Sequence, residues 1–292
     1  YTRVGSSAAS DVYKRQILTL TYKNINNDFY HSFIKYMNAQ EYSLNYIGTH
    51  IKILKTIMNA SYEKNLHDNL DFKKSWFKKP SEEVYNIYLN TDELESIYNL
   101  DFSDFKPKIT NSDFVLTDEK LSNARDLFLI SANSGLRVSD FNKLTPKNII
   151  SVKGVNYISL TTQKNLKKLT IPINSMVQSI LNKRKGEPPK KMPEQHINYC
   201  LKEIGELAEI NEVVEKEITK GGIKTKTTYK KYELITNHTG RRSFCTNAYK
   251  SGMPTIDIMA ISGHSTEKVF YNYIKVDDLE RAEKIAKHEF FS

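Results

Sequence analysis

The segment NHTGRRSFCTNAYKSG, residues 237–252, places positive side chains at the predicted start of a helix, and this constrains the fold strongly. His238, Arg241 and Arg242 all lie near the first turn of that helix. The first turn already carries the positive end of the helix dipole and free backbone N–H groups. Positive side chains are unfavourable there unless an anion binds to them. The segment therefore predicts an anion site at a helix N-terminus.

The charge of the chain favours a large acidic partner. The 292 residues carry a formal net charge of +9 at pH 7, and residues 216–242 contain eight basic side chains against two acidic ones. No apolar run approaches the roughly 18 residues that a membrane span needs, so we expect a cytoplasmic protein that does not enter a membrane. Cys200 and Cys245 are too few for a disulfide framework and lack a zinc-binding pattern. We expect neither a metal nor another cofactor.

The N-terminal part of the chain predicts a leader and a small domain. Residues 1–16 are polar, lack apolar periodicity and are expected to be a non-native leader. Residues 17–80 contain nine lysines against five acidic residues, and apolar side chains recur at helical spacing from Asn27 to Asn65. We expect a small helical DNA-binding domain there. The lysine-rich residues 73–80 predict a basic linker.

Residues 81–292 predict a second domain of the α+β class that is mainly helical. Thr91 is expected to cap its first helix. Gly135 is expected to end a long apolar helix. Two segments alternate and are rich in β-branched residues, so they predict a small antiparallel sheet or hairpins. These segments are residues 154–173, with Lys164 near the turn, and residues 213–236, which turn at Gly221 and Gly222.

Three short motifs occur in order along the second domain. They are NSGLRVSD with Arg137, HTGRRSF with His238 and Arg241, and SGHSTEKVFYNYI with His264 and Tyr273. Together, with Lys164 in a predicted hairpin between the first two, they resemble the motifs of the tyrosine recombinases, also called phage integrases. Each motif alone is short and fallible, but the ordered combination is specific. The resemblance covers roughly residues 17–290.

The resemblance implies roles for individual residues. The implied catalytic residues are Arg137, Lys164, His238, Arg241, His264 and the nucleophile Tyr273, which is expected on a helix; Asp140 is the acid that supports Arg137. Pro172 lies eight residues after Lys164, and Tyr273 lies nine residues after His264, both as in the family. Arg242 stands where the family commonly has a histidine. The basic residues expected to contact DNA are Lys167, Lys168, Lys224, Lys226 and Arg242.

These residue types suit cleavage of a phosphodiester. The tyrosine hydroxyl attacks a DNA phosphate and forms a 3′-phosphotyrosyl enzyme with a free 5′-hydroxyl. Two arginines hold the non-bridging oxygens with a bidentate geometry that lysine lacks. A lysine can protonate the departing 5′-oxygen when desolvation lowers its pKa. Because the covalent intermediate conserves the bond energy, neither ATP nor a metal is needed.

The resemblance also implies an architecture and partners. It implies the DNA breaking-rejoining fold, in which a helical core-binding domain and a mixed catalytic domain form a clamp around DNA. The implied substrate is a double-stranded DNA attachment site. The implied assembly is a homotetramer on DNA, with room for accessory DNA-bending proteins. The chain is then an integrase of a mobile genetic element that acts in site-specific DNA recombination.

Two alternative functions stay open at this point. A type IB topoisomerase shares the chemistry but relaxes supercoils as a monomer, and a DNA-binding regulator could keep the fold without activity. The intact set of catalytic residue types argues against the regulator. A metal-dependent nuclease or transposase is disfavoured, because the sequence has no spaced carboxylate cluster suited to two magnesium ions. Integration, excision, inversion and dimer resolution all remain open as the native reaction.

Overall fold

The computed structural model describes residues 20–110, 112–276, 278–286 and 289–291. The expected leader, residues 1–16, lies outside this range. Within the described residues the chain is mainly helical and has three small sheets. The α+β, mainly helical class expected from the sequence is confirmed. No helix in these ranges is long and apolar enough to cross a membrane.

The described part contains helices of very different lengths and short strands. The helices are α1 (Asn27–Ala39), α2 (Leu44–Glu63), α3 (Thr91–Tyr98), α4 (Asp118–Ser134), α5 (Val138–Phe141), α6 (Ser175–Lys183), α7 (Glu194–Leu207), α8 (Asn237–Lys250), α9 (Thr255–Ser262), α10 (Glu267–Tyr271) and α11 (Asp278–Ala286). The strands are β1 (Lys108–Ile109), β2 (Val115–Leu116), β3 (Ile149–Val152), β4 (Val155–Thr161), β5 (Lys168–Pro172), β6 (Val213–Lys220) and β7 (Ile223–Lys230). Short 3-10 turns connect several of them.

The contacts divide the chain into two compact units. The first contains the chain up to Tyr85 together with Glu215–Thr227. The second contains Asn86–Val214 and the chain from Thr228 onward. The sequence instead placed the whole of residues 81–292 in one domain. The structure differs because most of the β6–β7 hairpin packs within the first unit.

The first unit is built on α1 and α2. Asn26 and Ser43 cap these helices, since their side chains accept hydrogen bonds from backbone N–H groups three residues further on. The helical pattern predicted from Asn27 to Asn65 is confirmed. The buried side chains of the core are Ile25, Tyr30, Ile51, Met58, Phe72 and Phe77.

The predicted linker at residues 73–80 is packed into this unit. Phe77 is fully buried in its core. Lys55 donates a hydrogen bond from Nζ to the carbonyl oxygen of Phe77 at 2.8 Å. Tyr30 donates from its hydroxyl to the carbonyl oxygen of Lys78 at 2.9 Å. The lysines alone suggested a linker, but the aromatic residues between them bury too much apolar surface for a solvated segment.

The end of the β6–β7 hairpin is fastened by a carboxylate. Glu82 accepts hydrogen bonds from the backbone N–H of Thr219 at 2.9 Å and from its hydroxyl at 2.6 Å. The N–H of Gly221 donates to the carbonyl oxygen of Tyr42 at 3.2 Å. All of these residues belong to the first unit. This pairing explains why the hairpin groups with the N-terminal residues.

The turn of this hairpin requires glycine twice. Gly221 and Gly222 have φ angles of 60° and 78°, which favour glycine. A Cβ atom at either position would lie 3.3 Å from an atom of Asn38. The turn predicted at these two glycines is confirmed, and close contact with α1 adds a second reason for their presence.

The second unit is organised around α4. Leu121, Leu127 and Phe128 in this helix are fully buried, and its buried residues lie on all sides because α3, α6, α7 and α8 pack around it. Asp126 is also buried, and its carboxylate accepts from Arg125 at 2.9 Å and from Arg184 at 2.8 Å. The polar group is tolerated inside because both carboxylate oxygens are paired.

A three-stranded sheet lies beside these helices in the order β3-β4-β5. Its antiparallel register pairs Tyr157 with Pro172 and Thr161 with Lys168. The predicted hairpin is confirmed, and Lys164 lies in the loop that joins β4 to β5. The sequence did not predict β3, which is short and mostly exposed and so lacks a buried alternating face.

Two helix ends can be compared with the sequence. Gly135 follows α4 in the left-handed conformation with a φ of 66°, as predicted. The cap of α3 is Asn90 rather than Thr91. Asn90 accepts from the N–H of Glu93 at 2.9 Å, and the Glu93 carboxylate accepts from the N–H of Asn90 at 2.8 Å. This reciprocal pairing makes the residue before Thr91 the cap.

The C-terminal helices share a small apolar cluster with α8. Its buried members are Phe244, Cys245, Ile258, Phe270 and Ile274. The helix expected around Tyr273 is shorter than predicted, since α10 ends at Tyr271. Tyr273 lies in the following turn, where its N–H donates to the carbonyl oxygen of Phe270 at 2.8 Å.

The hairpin contact generates a test of stability. Glu82→Ala removes both hydrogen bonds to Thr219, and we expect the free energy of unfolding to fall by about 1–2 kcal/mol. Amide exchange at Gly221 should become roughly tenfold faster, because its hydrogen bond depends on the same docking. Urea unfolding and hydrogen exchange measure the two effects. Glu83→Ala, a neighbouring exposed acid, is the control; equal effects of the two changes would contradict the assignment.

Candidate active site

Arg241 is a buried arginine that connects three helix ends. Only 1% of the residue is exposed. Its Nη1 donates to the carbonyl oxygens of Gly135 and Ser262, both at 2.6 Å. Gly135 follows α4 and Ser262 ends α9, while Arg241 itself lies in α8. Burial and then the charge of Arg137 lower the pKa of Arg241.

His264 continues this hydrogen-bond chain. Nη2 of Arg241 lies 2.9 Å from Nε2 of His264. A guanidinium only donates, so Nε2 must accept and Nδ1 must carry the proton. Nδ1 lies 2.7 Å from the hydroxyl of Ser262, and that hydroxyl donates to the carbonyl oxygen of Ile258 at 2.6 Å. Each group in the series therefore has a consistent donor or acceptor role.

His264 is held in its neutral form. Burial, followed by the charges of Arg241, Arg137 and Lys167, lowers its pKa to about 3. A neutral imidazole beside a buried guanidinium avoids repulsion between two cations. His264 can therefore orient Arg241 throughout the physiological pH range.

Tyr273 packs against both of these residues. Its ring centroid lies 4.7 Å from that of His264, and the guanidinium carbon of Arg241 lies 5.3 Å from the ring centroid. The hydroxyl of Thr246 donates to the carbonyl oxygen of Tyr273 at 3.1 Å and accepts from the N–H of Lys275 at 3.1 Å. Thr246 is fully buried in α8, so the same helix positions the tyrosine and Arg241.

Tyr271 is placed differently from Tyr273. It is 42% exposed, and its ring contacts that of Phe270 with a centroid distance of 5.7 Å. The structure therefore brings Tyr273 to the buried arginine, while Tyr271 lies on the outside of α10.

Arg137 and His238 complete the cationic cluster. Arg137 is half-buried and immediately precedes α5. Its charge lowers the pKa values of Arg241, His264 and His238, so it acts electrostatically on all three. His238 lies in the first turn of α8 with its side chain at the surface, and desolvation by the surrounding protein, followed by the charges of Arg242 and Arg241, lowers its pKa.

The hairpin lysines divide into two groups. Lys167 is near the cluster, since its charge lowers the pKa of His264. Leu169, two residues further on in β5, lies within 3.5 Å of the position a Cβ atom would take on Gly263. Lys167 itself directly precedes β5 and is exposed. Lys164 and Lys168 are exposed and make no described contact with the arginines or histidines.

Asp140 and Arg242 make contacts that the motifs did not predict. Asp140 accepts from the backbone N–H of Gln163 in the β4–β5 loop at 2.8 Å. The backbone N–H of Asp140 donates to the carbonyl oxygen of Arg137 at 2.8 Å, but no described hydrogen bond or ion pair joins the two side chains. Arg242 donates to the carbonyl oxygen of Ile87 at 2.8 Å and to the Thr239 hydroxyl. Part of its guanidinium is therefore already hydrogen-bonded within the second unit.

Lys224 and Lys226 belong to the first unit rather than to this cluster. Lys224 pairs with Glu217 at 2.5 Å. Lys226 lies 3.6 Å from Glu217 and 3.7 Å from Glu215. Both lysines are largely exposed, and their acidic partners lie on the facing strand of the hairpin. These pairs offset part of the positive charge counted in residues 216–242.

Three groups of the site were not predicted from the sequence. They are the carbonyl oxygen of Gly135, Ser262 and Thr246, which hold Arg241, His264 and Tyr273 respectively. Ser262 lies two residues before His264 inside the third motif, so it could have been found there. Thr246 carried no such signal, because its contact joins residues far apart in the chain.

The arrangement suits transfer of a phosphoryl group to a tyrosine. Arg241 and His264 contact the half-buried ring of Tyr273, and a cationic cluster beside a tyrosine suits attack on a bound phosphate. Nε of Arg241 is buried without a hydrogen-bond partner in the described part of the chain. The His, Cys, Asp and Glu side chains of the described ranges form no group of three that could hold a metal ion.

The family model described as the phage integrase family matches residues 89–280. The chain belongs to the phage integrase family. It is a tyrosine site-specific recombinase. No curated protein matches the sequence at a significant level.

Solved structures of recombinases share the fold. XerH bound to difH substrate has 17% sequence identity and a TM-score of 0.61, with 95% of this chain and 75% of that chain covered. The Tn1549 transposon integrase with circular intermediate DNA has 14% identity and a TM-score of 0.61, with 98% and 95% covered. A lambda integrase dimer on a COC′ core site has 12% identity and a TM-score of 0.60, with 93% and 90% covered.

The neutral His264 generates a pH prediction. With a folded pKa of about 3 and an unfolded value near 6.5, the unfolded chain binds the extra proton between these pH values. The free energy of unfolding should therefore rise with pH in this window, by about 2 kcal/mol from this residue between pH 5 and pH 8. Urea unfolding at several pH values measures it.

His264→Gln should remove that part of the pH dependence. His196→Gln is the control, since the same change is made in a ring that stacks on Phe114 at 4.2 Å. An unchanged pH slope in the His264 variant would show that burial does not hold the imidazole neutral.

Proposed function

We propose that the chain cleaves and rejoins double-stranded DNA at specific attachment sites, with Tyr273 as the nucleophile. The observation that carries this proposal is the contact of the Tyr273 ring with both Arg241 and His264. A phosphate held by Arg241 and Arg137 would lie within reach of the tyrosine hydroxyl. Tyr271 has no comparable contact with the cluster among its described interactions.

The reaction exchanges one phosphate ester for another. The Tyr273 oxygen forms a bond to phosphorus as the bond between phosphorus and the 5′-oxygen breaks, and the tyrosine proton passes to solvent or to a neighbouring base. Arg137 and Arg241 stabilise the added charge on the non-bridging oxygens. His264 keeps Arg241 oriented, His238 contributes a hydrogen bond to the phosphate, and Lys164 protonates the departing 5′-oxygen. Attack by a 5′-hydroxyl on the phosphotyrosine reverses the steps.

The partners follow from the fold and the charge. XerH, the Tn1549 integrase and lambda integrase are all described in complex with DNA, which supports a DNA duplex as the substrate here. Lys167, Lys168 and Arg242 are candidates for backbone contacts near the scissile phosphate, while Lys224 and Lys226 would contact DNA from the hairpin. We further propose a homotetramer on two duplexes, acting in the cytoplasm, with accessory DNA-bending proteins at some sites.

Mobile-element integration is the role that these features favour. A recombinase joins two sites and yields a new arrangement of flanking DNA, whereas a type IB topoisomerase relaxes supercoils without exchanging partners. A plasmid carrying two attachment sites distinguishes them, because only the recombinase yields products with exchanged flanks. Relaxation alone would identify a topoisomerase, and binding without a covalent adduct would identify a regulator.

The assignment of the nucleophile has a direct test. With a nicked suicide substrate that traps the covalent intermediate, Tyr273→Phe should abolish the protein–DNA adduct, because the attacking oxygen is removed. Tyr271→Phe is the matched control and should leave the adduct largely intact. Denaturing gels measure the adduct, and mass spectrometry locates the modified residue. An adduct on Tyr271 would refute the assignment.

The source of transition-state charge has a second test. Cleavage should proceed in EDTA without a nucleotide, because the arginines supply the positive charge. Arg137→Lys should lower the cleavage rate by roughly 10²–10³ with little change in DNA affinity, since lysine keeps the charge but loses the planar fork. Single-turnover cleavage and a gel-shift titration measure the two quantities. A strict requirement for magnesium would rule out this mechanism.

A further inference from the structure

The loop between β4 and β5 is held by a buried carboxylate. Asp140 is 5% exposed, and its Oδ1 accepts a hydrogen bond from the backbone N–H of Gln163 at 2.8 Å. Gln163 directly precedes Lys164 in the loop. The carboxylate on α5 is therefore linked to the peptide unit next to the lysine.

The rest of the loop is closed by its own hydrogen bonds. The N–H of Thr162 donates to the carbonyl oxygen of Lys167 at 2.9 Å, and the N–H of Lys167 donates to the Thr162 hydroxyl at 3.0 Å. Thr162 is 1% exposed. From outside the loop, Lys143 contacts the side chain of Gln163 at 3.1 Å, but it leaves the backbone of the loop free. Asp140 is thus the described side chain that ties the loop backbone to α5.

Burying the Asp140 carboxylate costs stability, so stability alone does not explain its position. Its second oxygen, Oδ2, is buried and has no hydrogen-bond partner among the described residues. A buried carboxylate with an unpaired oxygen costs free energy that an apolar side chain would not. The expected support of Arg137 does not explain it, since the described hydrogen bond between the two residues runs from the Asp140 N–H to the carbonyl oxygen of Arg137 at 2.8 Å and leaves the carboxylate out. The bond to Gln163 is the contact that remains.

We propose that Asp140 is a positioning residue for Lys164, acting through the N–H of Gln163 rather than through Arg137. The proposal rests on the role given to Lys164 in the proposed function. When the bond between phosphorus and the 5′-oxygen breaks, the Lys164 ammonium gives its proton to that oxygen and becomes a neutral amine. Asp140 fixes the backbone one residue away, which limits how far the ammonium can move from the leaving oxygen.

Substrates with two different leaving groups distinguish an effect of Asp140 through Lys164 from an effect through Arg137. In a DNA substrate with sulfur in place of the scissile 5′-oxygen, the departing group is a thiolate, which leaves unprotonated far more readily than an alkoxide because an ordinary thiol has a pKa of only about 8.5. It needs no proton donor. A defect in protonation should therefore disappear with the sulfur substrate, whereas a defect in phosphate charge stabilisation should persist.

We expect Asp140→Ala to behave like Lys164→Ala and unlike Arg137→Lys. On the oxygen substrate the two alanine variants should cleave roughly 10²-fold more slowly than the unaltered chain. On the sulfur substrate both should come within about threefold of it, while Arg137→Lys stays slow on both. Amide exchange at Gln163 should be roughly tenfold faster in Asp140→Ala. Asp140→Asn keeps an acceptor oxygen and should retain most of the cleavage rate.

The outcomes separate this inference from the proposed function. If Asp140→Ala is equally slow on both substrates, Asp140 acts through Arg137 or the fold, and the inference is overturned. The same holds if Gln163 exchange is unchanged, or if Asp140→Asn is as defective as Asp140→Ala on oxygen. If Lys164→Ala is not rescued by sulfur, the role of Lys164 in the proposed function fails instead. If Asp140→Ala does not fold, Asp140→Asn decides, because a loss of cleavage in that variant that sulfur does not rescue overturns the inference.

Discussion

The buried guanidinium of Arg241 is the group on which the site depends. It occupies the space between the ends of α4, α8 and α9, and its hydrogen bonds to two carbonyl oxygens satisfy groups that helix C-termini leave free. These bonds place Gly135, and with it Arg137 two residues later. They also place Ser262, and with it His264. One side chain thereby sets the positions of groups from all three motifs.

Burying the Arg241 charge costs free energy, and this explains the charge state of the groups beside it. His264 accepts from the guanidinium and stays neutral, so it adds a hydrogen bond without adding repulsion. The described ion pairs include no acidic partner for Arg241 or Arg137. The carboxylate of Asp140, three residues after Arg137, accepts from the backbone of the β4–β5 loop instead. The cluster thus keeps uncompensated positive charge, which a DNA phosphate can neutralise.

The architecture is shared with solved recombinases at low sequence identity. The solved recombinases share 12–17% identity with the chain, so most core side chains differ. A core can be repacked with other apolar residues if its volume and pattern are kept. A bidentate arginine, in contrast, tolerates little displacement of its partners. The family model matches residues 89–280, a range that contains Arg241.

Local sequence patterns identified the elements whose conformation is set by residues close together in the chain. The helices of the first unit, the left-handed Gly135 and the glycine turn of β6–β7 all follow from periodicity or backbone conformation. Errors arose where a distant contact decided the result. Phe77 is buried by residues from α1 and α2, and Glu82 draws Thr219 into the first unit. Neither contact can be recognised from the residues next to it in the sequence.

The amino-acid sequence by itself determined the family, the fold class and the residue types of the site, because three motifs in a fixed order preserve both chemistry and spacing. It also favoured Tyr273 over Tyr271. Only the tertiary structure decided which groups meet: Tyr273 in a turn held by Thr246, His264 between Arg241 and Ser262, and Asp140 on the β4–β5 loop. Each of these contacts joins segments separated in the chain, and its geometry depends on packing that no local pattern encodes.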